Sequence, residues 1–281
     1  MGRMDSLVVD KSIATRLELA EAEMTARYAW AYANLYPGSG ACATPVAGGY
    51  VSFAGSRSPL SRATGMGLTC RVKPAELDMV EDFLRYRRAR PTIDICPFVD
   101  ESLLDLIADR DYRIFHFLNL FVRPLTPGKP EFTDFGPGIT IIPMRQKNEE
   151  DLNLWSLTVA RGFAGTDEGV PHDIDLFRAL FRTVGIICFL AKVDGQVAGG
   201  GALKIIDGTA LLSTASTLPA FRRNGVQSAL LKARLSAAAQ AGCDLAAVMT
   251  QPGNASQRNV TRAGFCLAYT RITMVRGPRT D

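Results

Sequence analysis

Thr217-Leu218-Pro219-Ala220-Phe221-Arg222-Arg223-Asn224-Gly225-Val226-Gln227-Ser228-Ala229-Leu230-Leu231 is the stretch on which the reading of this chain turns. Before it, Thr209–Thr217 is rich in Thr and Leu and fits a strand. After it, Val226, Ala229, Leu230, Ala233 and Ala237 fall at helical spacing among good helix formers. Pro219 cannot continue a central strand, so the strand ends there. Gly225 permits close backbone approach where the helix begins. A helix start offers unbonded N–H groups and the positive end of the dipole, which together suit an anion. Arg222 and Arg223 add charge and forked donors that match phosphate.

The spacing Pro219, Arg222, Gly225, Gln227 resembles the coenzyme A loop of the GNAT acyltransferases. The family has a small residue at the last of these positions; Gln227 departs from it, so its side chain has to point away from a pyrophosphate. A second stretch, Asn254-Ala255-Ser256-Gln257-Arg258-Asn259-Val260-Thr261-Arg262-Ala263-Gly264-Phe265, resembles the family's second signature. There Gly264 suits a helix stop and Asn254 or Ser256 suits its cap. The resemblance covers residues 138–281. It implies a central mixed β-sheet flanked by helices, in the mixed α/β class. It also implies acetyl-coenzyme A as donor, held by Ala215, Ser216 and Thr217 on a splayed strand edge, by Arg222, Arg223, Asn224, Gly225, Val226, Gln227 and Ser228, and by Asn254, Ser256 and Asn259.

Composition bounds the alternatives. A chain of 281 residues with 47% apolar and 21% charged residues has room for two folded domains with real cores. Its net charge of +4 suits acidic small ligands and does not call for nucleic acid. The six cysteines form no Cys-x-x-Cys pair and read as buried free thiols of a reducing compartment. With two histidines, neither a histidine metal site nor a Ser-His-Asp triad is expected. Met1–Asp5 lacks an apolar leader core, and no run reaches membrane-spanning length, so the expectation is a cytoplasmic protein without membrane association.

Along the chain, helix periodicity covers Ser12–Asn34, Pro74–Arg88 and Glu101–Asp109, and strand character covers Ala41–Ala54, Leu60–Leu68, Thr92–Cys96 and Tyr112–Val122. The second half reads as strand Ile139–Ile142, helices Glu149–Phe163 and Ile174–Arg182, strands Gly185–Lys192, Gln196–Ile205 and Thr209–Thr217, then helix, strand, short helix, strand. Both halves share the tail helix, strand, proline, short helix, aromatic, strand. This implies two copies of one fold, the first eroded. The expected organisation is a degenerate GNAT-like domain over 1–123, a proline-rich linker over 124–137, and the acetyltransferase domain over 138–281. Where the second copy has its loop, the first has Arg71-Val72-Lys73-Pro74-Ala75, without the glycine and with a proline that removes a donor.

The chemistry the resemblance implies is direct attack of an amine, on a small molecule or peptide, on the thioester. Such amines titrate at about 10.4 or near 8, so a base or a proton-carrying water is useful. Where the family often has a carboxylate on the strand before the loop, this strand offers Ser213, Thr214 and Ser216, whose hydroxyls can hold a water. Asp167, Glu168 and Asp173 are the carboxylate alternatives. The family's tyrosine acid would fall at Val260, and Tyr269 is the substitute. The other function class is an acetyl-coenzyme A-binding regulatory module without turnover.

Overall fold

Helix α1 (Lys11–Leu35) begins where the Asp10 carboxylate accepts from the Ile13 N–H at 3.0 Å, as an N-cap should. The computed structural model describes residues 9–56 and 58–277, so Met1–Asp5 lies outside the described residues. After α1 come β1 (Cys42–Val46), β2 (Gly49–Phe53), β3 (Arg62–Thr64), α2 (Pro74–Tyr86), β4 (Thr92–Ile95), α3 (Glu101–Ala108) and β5 (Tyr112–Pro124). Then follow β6 (Ile139–Pro143), α4 (Glu149–Ala164), α5 (Ile174–Arg182), β7 (Ile186–Val193), β8 (Gln196–Ile206) and β9 (Thr209–Thr217). The chain goes on with α6 (Val226–Gln240), β10 (Leu245–Thr250), α7 (Ala255–Arg262) and β11 (Cys266–Arg276). The Gly-rich run Ala41–Ala54, read as one strand, is a hairpin turning at Ala47-Gly48, both at positive φ.

Two compact units emerge: Met1–Phe121 with Thr250–Asn254 and Leu267–Asp281, and Val122–Met249 with Ala255–Cys266. In the first, β1, β2 and β3 pair antiparallel and β3 runs parallel to β4. In the second, β6, β7, β8 and β9 pair antiparallel in order and β9 runs parallel to β10. The series β1-β2-β3-α2-β4-α3 thus repeats as β7-β8-β9-α6-β10-α7. The chain is a tandem of mixed α/β domains.

Two expectations change. The stretch 124–137, read as a linker, is tied down along its length. Leu125 and Gly128 donate to Asp244 and Ala239 carbonyls at 2.8 and 2.7 Å, and Phe132 exchanges hydrogen bonds with the Ser236 hydroxyl on α6. The strand β11, read as the close of a 138–281 domain, pairs antiparallel with β4 in the first unit, Ile272 opposite Ile95 and Val275 opposite Thr92. Alternation explains why it seats there: Tyr269, Arg271, Thr273 and Val275 turn inward. Of the cysteines, Cys96, Cys188 and Cys243 are buried free thiols, whereas Cys70 and Cys266 are exposed. No helix among the described residues is long and apolar enough to cross a membrane.

The first unit is closed by a buried charge cluster. Arg271 lies 3.0 Å from Glu18 and 3.3 Å from Asp94, all at most 2% exposed. Arg62 meets the same Asp94 at 2.6 Å, and Thr273 donates to it. Burial raises the Glu21 carboxyl above its ordinary range. For Asp94 the same burial effect is outweighed by Arg62 and Arg271, which hold it below. A depressed carboxylate contributes stability that is present above its unfolded pKa and lost as pH falls through the folded one.

Arg271→Met should therefore leave two buried carboxylates short of a cation and cost about 3–5 kcal/mol. In the variant those carboxyls rise and are relieved by protonation, so the gap to the parent protein should narrow as pH falls. Thermal melts at pH 5 and pH 8 check it; an equal gap at both would contradict this account of the cluster.

Candidate functional site

The site is built where β9 parts from β10. Their parallel register runs from Leu245 opposite Thr209 to Val248 opposite Leu212 and stops there, although β9 continues to Thr217. On its other edge β9 stays paired with β8 throughout, with one irregularity: Gly201 faces Ala215 and Ala202 faces Ser213, which leaves Thr214 as the extra residue of a β-bulge. Thr214 has φ 46°, a left-handed conformation that costs a β-branched residue of order 1–3 kcal/mol. The bulge bends β9, and the backbone from Ser213 to Thr217 is left without β10 along one edge.

Small residues let helices come close to this bent strand. A Cβ on Gly162 of α4 would lie 2.4 Å from the Ser216 hydroxyl, and one on Gly200 would lie 2.7 Å from a Val159 methyl and 3.0 Å from the Trp155 indole nitrogen. Ser216 donates to the Val159 carbonyl at 2.9 Å, and Trp155, fully buried, donates to Phe189 at 3.1 Å. Helix α4 is thereby seamed to β9 and β8 directly behind the bulge. Its start is capped by Asn148, which accepts from Asp151, and its end by Gly165 at φ 72°.

The loop after β9 makes one 3-10 turn at Pro219–Phe221 and enters α6 through Gly225, whose φ of 80° places it in the left-handed region. No side chain caps this helix start, and Arg222, Arg223, Asn224, Gly225 and Ser228 are exposed around it. Open N–H groups, a helix dipole and two cations thus occupy one turn. The two arginines differ. Arg222 reaches the Gly162 carbonyl at 3.3 Å and ties the loop to α4. Arg223, at φ 68°, makes no hydrogen bond or ion pair to another described residue. Val226 is buried, so the helix axis is anchored, and Gln227 is half-buried.

Of the residues expected at the site, Ala215, Ser216, Thr217 and Arg222–Ser228 come together as one continuous strand, loop and helix. Ser213 and Thr214 lie at the bulge, where the Ser213 hydroxyl is buried and unbonded among the described residues. Ser216 is committed to α4 and is not open to hold a water. Asp167 touches the loop, accepting from the Ala220 N–H at 3.4 Å, while Glu168 is exposed in the loop between α4 and α5. Asp173 sits beside His172 at 3.1 Å. Asn254 immediately precedes α7, Ser256 is already inside it rather than capping it, and Asn259 is half-buried. Tyr269 is a correction. It belongs to the first unit, 7% exposed, donating to Glu18 at 2.8 Å, and burial with the nearby Glu18 carboxylate pushes its hydroxyl far up.

Sequence reading missed the packing partners: Gly162, the run Gly199-Gly200-Gly201, Trp155 and Arg234. Three consecutive glycines opposite the strand before the loop were the available signal, since glycine within a strand marks close approach of another group.

In the first unit the corresponding turn is already filled from within. The Lys73 N–H donates to the Glu76 carboxylate at 2.8 Å, the Val72 N–H to the Ser102 hydroxyl at 2.9 Å, and Pro74 begins α2.

Residues 153–265 match the model of the acetyltransferase (GNAT) family. No curated protein matches the sequence. Among solved structures, the chain is similar to a GCN5-related N-acetyltransferase from Kribbella flavida, at 16% identity and a TM-score of 0.64, over 95% of this chain and 96% of that one. It is also similar to a tandem GNAT protein from the clavulanic acid biosynthesis pathway, at 13% identity and a TM-score of 0.54, over 100% and 98% of the two chains. At such identities the likeness is one of fold.

Gly225→Ala should disturb this site selectively. A Cβ there has space, its nearest neighbour being Ile139 at 3.6 Å, so the cost is conformational, roughly 1–2 kcal/mol. The α6 start should shift, and affinity for a phosphate-bearing ligand should fall about tenfold in calorimetric titration with coenzyme A. Unchanged affinity would separate the anion site from this turn.

Proposed function

From the GNAT domain carried by residues 153–265, we propose that this chain is an N-acetyltransferase that moves an acetyl group from acetyl-coenzyme A to an amine of a small molecule or peptide. The observation that carries this reading is the end of β9–β10 pairing at Leu212 and Val248, followed within the same strand by the bulge and the cationic helix start. An extended amide-bearing chain can pair with a strand edge that has lost its neighbour, and its terminal phosphates can reach a helix start in the same segment.

In this mechanism Arg222–Ser228 hold the pyrophosphate, and Ser256 and Asn259 of α7 border the donor site. Ala215–Thr217 offer backbone groups to the pantetheine arm. A backbone N–H after the bulge stabilises the oxygen that becomes negative when the amine attacks the thioester carbon. The tetrahedral adduct then expels the thiolate, whose pKa near 8.5 in the cysteine model calls for little acid help. The amine proton leaves through water, for which the Ser213 and Thr214 hydroxyls are the polar groups at the bulge; Asp167 and Glu168 lie in the loop after α4.

A second reading keeps the donor site and drops turnover, making the chain an acetyl-coenzyme A-binding regulatory module. Two observations favour it: β9 presents no carboxylate, and Tyr269 is locked to Glu18. Thiol release from acetyl-coenzyme A, measured across a panel of amines, separates the two. Turnover with any amine supports the transferase, and tight binding without turnover supports the module.

Titration with coenzyme A should give one site per chain, because the first unit's turn is filled by Glu76 and Ser102. Arg223→Ala should weaken it roughly ten- to hundredfold, the loss of a charge-assisted hydrogen bond worth about 1.5–3 kcal/mol. Two equivalent sites, or an unweakened variant, would contradict the placement.

A further inference from the structure

Arg234 is an arginine in the wrong place for an ordinary one. It lies on α6, 4% exposed, with its guanidinium turned into the protein. No carboxylate pairs with it among the described residues. Instead its Nε donates to the Leu230 carbonyl at 3.0 Å, within its own helix, and one Nη donates to two strand carbonyls, Ala202 at 3.2 Å and Ser213 at 3.1 Å. Those two residues face each other at the step where the β8–β9 register shifts. Gly201, next to them, has no side chain at the point where a Cβ would come within 3.3 Å of the guanidinium. Burial lowers the pKa of Arg234 to about 10, so it stays charged at neutral pH.

Burying a cation with no counterion costs several kcal/mol. A methionine or leucine would fill the same volume without that cost, so stability does not account for the residue. Its donors go to the carbonyls of the residue pair that adjoins the register shift. We propose that Arg234 is the positioning residue of the donor edge: it bridges the Ala202 and Ser213 carbonyls, holds the bulge at Thr214, and thereby fixes the amides that follow against the thioester oxygen. This rests on reading Ser213–Thr217 as the seat of the acyl donor. The charge itself sits behind the same edge, where it favours negative charge developing on that oxygen.

The probe is acetyl-coenzyme A with an isotope-labelled thioester carbonyl, whose infrared stretch reports how strongly the bound oxygen is polarised. In the parent protein the stretch should move to lower frequency on binding. In Arg234→Met that displacement should be at least halved while affinity for coenzyme A, measured by calorimetry, stays within about twofold. Arg234→Lys, which keeps the charge and loses the fork, should fall between. If Arg234→Met does not fold, Arg234→Lys carries the test: a displacement smaller than the parent's supports the proposal, and an equal one overturns it.

An unchanged displacement in a folded variant overturns the proposal and leaves the functional reading standing. A parallel loss of more than tenfold in coenzyme A affinity, with the displacement of the remaining complex unchanged, also overturns it, because it marks a merely structural role. If the parent protein binds neither coenzyme A nor its acetyl ester, the functional reading itself fails.

Discussion

Strand β9 leaves β10 after Leu212 because one extra residue, Thr214, is held in a left-handed conformation within it. The rest of the second unit is arranged around keeping that irregularity in place. Regular pairing with β10 would recover ladder hydrogen bonds and relieve the strain at Thr214. What opposes it is local: Trp155 and Val159 packed on Gly200 and Gly162 on Ser216, and Arg234 bonded to strand carbonyls. Hydrogen bonds to a charged donor are worth about 1.5–3 kcal/mol each, comparable with the strain of about 1–3 kcal/mol at a residue such as Thr214. The balance is close, which is how a strand can stay split without wrecking the sheet that carries it.

The two copies resolve the same geometry differently. In the second, the turn after the parallel strand is open and cationic. In the first, Glu76 supplies from within the chain the negative oxygen that an anionic ligand would otherwise bring, and Ser102 takes a neighbouring amide. A capping carboxylate and a bound phosphate are alternative answers to the same set of unbonded helix-start donors. The first unit invests its polar residues elsewhere, in the Glu18, Asp94, Arg62 and Arg271 cluster.

Much of the tandem architecture could be read from sequence because its signals are local. Helices α1, α2, α4, α5 and α6 follow from periodicity, and β9 with its loop follows from Thr217–Val226. What could not be read is non-local. No periodicity says that β11 pairs with β4, since an alternating strand fits any sheet with an apolar face on offer. Tyr269 looked available because its burial depends on Glu18, far away in sequence. Arg234 could not be singled out, since nothing local distinguishes an arginine facing a bulge from one facing water. The proline-rich stretch 124–137 reads as a linker, and prolines restrict a chain without deciding whether it lies on a helix, as this one does on α6.

The bond between Arg271 and Glu18 spans 253 residues. Made N-terminus first at about 5–20 residues per second, the chain carries Glu18, Glu21 and Asp94 for roughly 10–50 s before Arg271 exists. Through that interval the first unit lacks a cation its core needs and the strand that pairs with β4, and an unpaired strand is where a nascent chain invites wrong partners. The second unit's sheet, β6 through β10, is complete earlier. The order of synthesis and the order of completion are therefore reversed in this molecule, and the half that emerges first is the half that must wait.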